Sequence, residues 1–210
     1  MEAHSVLLTT AYWPPIHWLA YALRAQHVFL EACEHYQKGS YRNRCHIAGP
    51  NGVHRLSIPL LKGKHQQTPI RDVRLSDAEH WQRLHWRSIA TAYGNAPFFE
   101  HYEAELSVFY QKRYTFLFDF NLECLQWLAA QWNISVPIDF TETFELNSRP
   151  TGVLDARNAL DLAHPTLHTP RYGQVFEDRH GFLPNLSALD LLLCSGKTGM
   201  TILENAYLEP

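Results

Sequence analysis

The first 32 residues contain a strand–helix–strand pattern, which limits the fold more than any other part of the sequence. Residues 5–10 are a short apolar run rich in residues that favour β-strands. Pro14 and Pro15 interrupt this run. Since proline is tolerated in the first turn of a helix, a helix is predicted over residues 15–25. A second strand is predicted over residues 27–32. Two strands joined by one helix indicate a parallel pair, and therefore a fold of the α/β class.

The rest of the chain continues this alternation of strands and helices. Further strands are predicted over residues 44–48, 53–60, 70–75 and 138–144. Helices are predicted over residues 76–93, 98–111, 116–132 and 185–194, with a short, weak helix over 154–163 and a loop over 164–181. Asn51 and Gly52 indicate a hairpin, and Ser76 with Glu79 matches a helix capping box. We therefore expect one α/β domain over residues 1–210, with a mixed, partly parallel sheet flanked by helices and a helical middle segment.

Composition argues against several classes of partner and location. The formal net charge of −3 disfavours general electrostatic binding to nucleic acid or to an anionic membrane. No apolar run approaches the ~18 residues of a membrane-spanning helix, and the first residues lack the pattern of a signal peptide. Four cysteines without a CxxC spacing are typical of reduced thiols. These features predict a cytoplasmic protein without a nucleic-acid partner or a membrane span.

A dense polar segment at residues 34–46 is the main candidate for a ligand site. Arginine guanidinium groups suit phosphate or carboxylate, whereas tyrosine hydroxyls and side-chain amides suit sugar hydroxyls. The ligand-binding residues predicted here are Tyr36, Gln37, Lys38, Tyr41, Arg42, Asn43 and Arg44. The alternative interpretation is a solvated loop whose arginines pair with Glu31 or Glu34.

The turn after the first strand supplies further candidates, because ligands bind at the carboxyl ends of parallel strands. Tyr12 is predicted to orient a hydroxyl group of the ligand, and His17 or His35 to transfer protons. His85 is a third candidate for proton transfer if it faces the cleft. No glycine-rich phosphate loop is present at this turn, so no nucleotide cofactor is predicted.

Three histidines in the helical middle segment, His80, His85 and His101, raise the question of a metal. His80 and His85 are five residues apart, which places them about 140° apart around a helix, and no HExxH motif occurs. No metal site is therefore predicted. In the late loop, Arg171 and Gln174 add a guanidinium and an amide and are further ligand-binding candidates. Ser187 is most simply the N-cap of the last helix.

Five segments, taken together and in order, resemble the WbqC-like protein family, in a Bacteroidetes-type member. They are Tyr12-Trp13-Pro14-Pro15, the segment from His35 to Arg44, Ser57-Ile58-Pro59, Tyr93-x-x-Ala96-Pro97-Phe98-Phe99, and the segment from Gly181 to Leu192. The chain departs from the family pattern at Gly173, where a tyrosine is expected, and at residues 193–196, which replace a Phe-Asn-x-Gly ending. The resemblance implies a bacterial protein of surface-polysaccharide or O-antigen gene clusters, but it does not imply a set of catalytic residues.

These observations lead to one hypothesis and two alternatives. The hypothesis is an enzyme of surface-polysaccharide precursor metabolism that transfers a group to or from an activated, nucleotide- or carrier-linked sugar. The first alternative is a non-catalytic ligand-binding or assembly protein. The second is an enzyme of acyl or aminoacyl transfer to an amino-sugar. All three need a small-molecule ligand, and none fixes the oligomeric state.

Overall fold

The computed structural model describes residues 5–61, 68–77, 79–145, 152–157 and 167–208. The strands are β1 Ser5–Thr9, β2 His27–Glu31, β3 Arg44–Gly49, β4 Gly52–Ser57, β5 Ile138–Phe140, β6 Val153–Asp155, β7 Leu167–His168 and β8 Tyr207–Leu208. The helices are α1 Ile16–Arg24, α2 Trp81–Tyr93, α3 Phe99–Gln111, α4 Leu117–Gln131, α5 Glu177–His180, α6 Ala188–Ser195 and α7 Gly199–Asn205. Two 3-10 turns lie at Ile70–Asp72 and Gly196–Thr198.

The main sheet has four parallel strands in the order β5-β2-β1-β6. β1 and β2 pair in direct register, from Ser5 opposite His27 to Thr9 opposite Glu31. The predicted parallel pair and the α/β fold class are thus confirmed. Antiparallel pairing occurs in a separate ribbon of β3 and β4 and in the short pair of β7 and β8.

The two faces of the main sheet differ in burial, because side chains alternate along a strand. Val6, Leu8, Val28 and Leu30 lie on one face and are almost completely buried. Helix α1 is buried along nearly its whole length, in contact with β1, α6 and α7. The other face, which carries Leu7 and Phe29, is only half-buried in the described part of the chain.

The ribbon of β3 and β4 turns at Asn51-Gly52, as predicted, and Gly52 takes a φ of 98° that disfavours any other residue. Two contacts fix the ribbon to the helices. The amide of Ser187 donates to the carbonyl of His46 at 2.7 Å, and the amide of Ala48 donates to the hydroxyl of Tyr93 at 3.0 Å. The ribbon is therefore firmly attached at both the start of α6 and the end of α2.

Three predicted elements were wrong in part. Residues 70–75 form a 3-10 turn followed by isolated bridges, not a strand. Helix α2 begins at Trp81, because the bridge between Leu60 and Leu75 and the bond from the Ser76 amide to Pro59 keep the preceding chain extended. Instead of starting a helix, residues 153–155 form β6, which is recruited by β1; residues 158–163 lie outside the described part.

The other predicted helices are present with small changes at their ends. Ser187 is the N-cap of α6, where its hydroxyl accepts a hydrogen bond from the amide of Leu189, as predicted. Helix α5, a single turn, lies within the predicted late loop. Across the described residues, none of the helices is both long enough and apolar enough to cross a membrane.

Candidate functional site

Two neighbouring cavities lie near the carboxyl ends of the parallel strands. The first, here called the sheet cavity, has a volume of about 560 Å³. The half-buried face of the main sheet forms its apolar floor, with Leu7, Phe29 and Val153. Its polar wall includes Glu31, Thr141 and Arg157. Sequence reasoning about strand ends predicted a site at this edge of the sheet, although not this cavity.

The second cavity, here called the loop cavity, has a volume of about 450 Å³ and is lined by residues 34–38 and Phe144. His35, Gln37 and Lys38 are exposed there. The Arg157 guanidinium of the sheet cavity lies over the ring of Phe144, 5.2 Å from its centroid. Phe144 therefore connects the walls of the two cavities.

A largely buried ionic network forms part of the wall of the sheet cavity. The Arg157 guanidinium donates from Nη1 to Glu31 at 2.8 Å, and from Nε and Nη2 to both carboxylate oxygens of Asp155, at 3.0 and 2.7 Å. Glu31 is only 1% exposed and also accepts from the Thr141 hydroxyl at 2.7 Å. This network links the carboxyl ends of β2, β5 and β6.

A second buried ion pair underlies the loop cavity. Arg42 donates from Nε to Glu34 at 2.7 Å, and its Nη2 contacts the other carboxylate oxygen. Burial raises the pKa of Glu34, and the Arg42 guanidinium offsets part of that rise. Arg42 thus forms the pair with Glu34 that the alternative interpretation named, and two of its three nitrogens are occupied.

The other predicted residues of the polar segment divide into buried and exposed groups. Tyr36 donates from its hydroxyl to Asn43 at 2.9 Å, and the Asn43 amide donates to the carbonyl of Ile58 at 2.9 Å. These two side chains hold the segment against the start of the ribbon. Only Gln37 and Lys38, of the residues predicted to bind the ligand, are exposed in the loop cavity.

Tyr41 and Arg44 lie at the ribbon end of the segment. The Tyr41 ring contacts the ring of His46 edge-on, with 5.6 Å between the centroids. Arg44 is half-buried, and its Nε is fully buried without a hydrogen-bond partner among the described residues. Of the three predicted guanidinium groups, Arg44 is the one that forms no ion pair within the described residues.

Tyr12 and His85 belong to a hydrogen-bonded chain in the core. The hydroxyl of Tyr12 contacts Nδ1 of His85 and the hydroxyl of Tyr110, each at 2.9 Å, and the indole of Trp13 donates to Tyr110 at 2.8 Å. Burial lowers the pKa of His85 to about 4, so this imidazole is neutral at pH 7. Both predicted residues are thus occupied by buried partners.

His17, Arg171 and Gln174 lie with the last third of the chain. Nε2 of His17 contacts the hydroxyl of Thr169 at 2.8 Å, and the imidazole is buried. Arg171 pairs with Glu177, and the Gln174 amide bonds the backbone of Leu183 in both directions. Of the three predicted histidines, His35 lines one of the two cavities described above, and His17 and His85 line neither of these two.

A third buried carboxylate, Asp190, lies at the start of α6. It accepts hydrogen bonds from the hydroxyls of Tyr93 at 2.5 Å and Tyr172 at 2.6 Å. Burial raises its pKa, and the two hydroxyls offset part of the rise. Unlike Glu31 and Glu34, Asp190 has no arginine or lysine partner among the described residues.

Sequence reasoning missed Thr141, Asp155 and Arg157, and it considered Glu31 only as a partner for Arg42 or Arg44. Glu31 is a charged residue at the end of an otherwise apolar strand, and this pattern could have marked it as a candidate. Arg157 gave no such signal, because its region was predicted to be a helix. Within the described ranges, no group of three or more histidine, cysteine, aspartate or glutamate side chains is placed to hold a metal ion.

Comparison with protein families gives one result. The model of the WbqC-like protein family matches residues 10–165, which include α1, β2, the polar segment, the ribbon, helices α2 to α4 and Arg157. Comparison with curated proteins and with solved structures gives no match.

Proposed function

The chain belongs to the WbqC-like protein family, and from this premise we propose that it binds a phosphate-activated, nucleotide- or carrier-linked sugar in the sheet and loop cavities and transfers a group to or from it. In this proposal the protein acts in the bacterial cytoplasm on precursors of surface polysaccharide or O-antigen.

One observation carries the proposal: two cavities of different chemistry adjoin at the carboxyl end of a parallel sheet. Their volumes, about 560 and 450 Å³, fall in the range of about 300–1,000 Å³ that is typical of small-molecule sites. The apolar floor of the sheet cavity suits a ring face, and the exposed polar groups of the loop cavity suit hydroxyl and phosphate oxygens. Together they would hold a ligand with both kinds of group.

The proposal assigns different tasks to the residues of the loop cavity. Lys38 contributes a positive charge for phosphate, and Gln37 orients hydroxyl groups. His35 is exposed in the cavity and would accept or donate a proton during the transfer of the group. Arg42 acts indirectly, since its ion pair with Glu34 fixes the backbone that carries these three side chains.

Ligand screening tests the binding part of the proposal. Nucleotide-sugars, nucleotides and acyl-thioesters are added to the full chain, and thermal unfolding is followed. A ligand at 100-fold its dissociation constant should stabilise the fold by about 2.7 kcal/mol. Lys38→Gln should remove most of this gain, whereas the control Lys112→Gln, on an exposed lysine paired with Glu123, should not. Equal gains in both variants would place the ligand elsewhere.

A non-catalytic binding protein is the second candidate, favoured by the burial of His17 and His85 away from the cavities. The variant His35→Gln separates the two candidates, because glutamine keeps a hydrogen-bonding group but cannot act as a general base. For an enzyme, turnover of the bound sugar should fall about 100-fold or more with little change in ligand affinity. A binding protein should show no turnover even with His35 in place.

A further inference from the structure

The outer face of the β3–β4 ribbon carries an unusual group of basic side chains. Arg44 and His46 alternate with core residues along β3, and in β4 Arg55 is the cross-strand partner of His46. Because alternate residues of paired strands share a face, these three side chains lie on the same side of the ribbon. Cys45, which lies between Arg44 and His46 in the sequence, and its cross-strand partner Leu56 are buried on the other side.

Within the described residues, neither arginine of this group is neutralised by an acid. In the described part of the chain, neither Arg44 nor Arg55 forms an ion pair, whereas Arg42, Arg157 and Arg171 each do. Burial, Arg55 and Arg44 together lower the pKa of His46, so both guanidinium charges act on this imidazole. Like charges are thus held close together on a chain whose net charge is −3.

Arg44 also has an unused donor inside the fold. Its Nε is fully buried and has no hydrogen-bond partner in the part of the chain that the structure describes. Buried donors are almost always paired in folded proteins, and an unpaired one can mark the place of a bound ion. Since the Nε–H belongs to a charged group, an anionic acceptor would suit it best.

The ribbon holds these groups in fixed positions. Its two strands pair over six consecutive positions, and the carbonyl of His46 accepts the amide of Ser187 at 2.7 Å. At the entry to β3, the amide of Ile58 donates to the carbonyl of Asn43 at 2.9 Å. A ligand would therefore meet a surface that is already ordered.

We propose that Arg44 and Arg55 bind a phosphate group on the outer face of the ribbon, with His46 as an additional hydrogen-bonding neighbour. A phosphate monoester carries a charge of about −1.5 to −2 and three acceptor oxygens, which match two guanidinium groups better than the single charge of a carboxylate does. The phosphate gives these two guanidinium groups, which form no ion pair within the described residues, an anionic partner and offsets the repulsion between them. Neither arginine lines the sheet or loop cavity, so this inference does not depend on the proposed function.

Inorganic phosphate is the probe for this site. Its affinity for the full chain is measured by calorimetry, and the ring signals of His46 are followed by NMR. Wild type should bind phosphate with a shift of the His46 signals, and Arg55→Gln should weaken binding about tenfold or more. Because Arg55 is exposed, this variant should fold normally, even if Arg44→Gln does not.

Two control variants decide where the phosphate binds. Arg74→Gln removes another exposed arginine, which lies over the ring of Phe116, and should leave the affinity unchanged. Lys112→Gln removes an exposed lysine that pairs with Glu123 and should also leave it unchanged. The proposal is overturned if wild type does not bind phosphate, if Arg55→Gln binds as well as Arg74→Gln, or if Lys112→Gln loses as much affinity as Arg55→Gln.

Discussion

The carboxylates beside the cavities and the carboxylate at the start of α6 are equally inaccessible, but different groups stabilise them. Glu31 and Glu34 are each 1% exposed and face the guanidinium groups of Arg157 and Arg42. Asp190 is 0% exposed and faces two tyrosine hydroxyls. Two of the predicted site residues differ in the same way. Arg42 has a charged partner in Glu34, whereas His85 contacts the neutral hydroxyl of Tyr12.

Because the partners are charged in one region and neutral in the other, the two regions should respond differently to pH. Arginine stays protonated at every pH that a protein tolerates, so the guanidinium of each pair beside the cavities keeps its positive charge. Tyrosine hydroxyls are neutral donors and acceptors, so the groups they hold must titrate without a counter-charge. Removing an arginine is therefore expected to destabilise the cavity edge more than a change of pH does. In the interior, a change of pH is expected to be the main cause of lost stability.

Removing Arg42 should have the largest effect. In Arg42→Met, Glu34 remains buried without its cation, and the free energy of unfolding at pH 7 should fall by about 3–5 kcal/mol. Chemical denaturation measures this loss. The double variant Glu34→Leu/Arg42→Met removes both charges and should recover most of the stability, because apolar replacements of a buried pair are often neutral.

A small loss in Arg42→Met would contradict the role given to this pair. The pH dependence gives a second check, since the pKa of Glu34 should rise further without Arg42. A carboxyl with a raised pKa in the folded state favours folding at low pH, so the loss should be smaller at pH 5 than at pH 7.

His85 should give the next largest effect. Its pKa in the fold is about 4, below the ordinary value of 6.5, so the unfolded chain binds the proton more tightly. Stability from this group is complete above pH 6.5 and is lost as the pH falls from 6.5 to 4, by about 3 kcal/mol. The measurement is the difference in unfolding free energy between wild type and His85→Gln at several pH values. If the unfolding free energies of the two proteins change in parallel with pH, the titration of His85 does not contribute to stability as predicted.

The smallest of the three effects is expected for Tyr172→Phe. Asp190 keeps the hydroxyl of Tyr93 but loses one of its two donors, which should lower the free energy of unfolding by about 1.5–3 kcal/mol. Tyr102→Phe is the matched control, because the Tyr102 ring is buried against His101 and Trp127. Equal losses in the two variants would mean that the hydroxyl of Tyr172 contributes nothing to the stability of Asp190.

Local patterns were enough to predict the elements that local interactions determine. The β1–α1–β2 unit, the Asn51-Gly52 hairpin and the Ser187 N-cap follow from residues close together in the chain, and all three are confirmed. β6 could not be predicted in this way, because residues 153–155 become a strand by pairing with Ser5, Val6 and Leu7. The start of α2 was wrong for a similar reason, since contacts with residues 59 and 60 keep residues 75 and 76 extended.

The candidate site shows the same division. The sequence predicted His35, Gln37 and Lys38 as candidates, and these residues line the same loop cavity because they are consecutive or nearly so. It did not identify the Arg157 network, since Glu31 and Arg157 are 126 positions apart and meet only when β6 joins the sheet. It also gave Arg42 and Arg44 the same task, although their environments differ: Arg42 has an acid partner, and Arg44 has none among the described residues.

The strand order β5-β2-β1-β6 has a consequence for the chain as it leaves the ribosome. β1 and β2 emerge first, but the strands that cover their outer edges lie at residues 138–140 and 153–155. Until most of the chain has been synthesised, the pair of β1 and β2 exposes hydrogen-bonding groups on both sides. Such uncovered edges invite pairing with other chains. Nascent chains of this protein are therefore expected to depend on chaperones until β6 has been made.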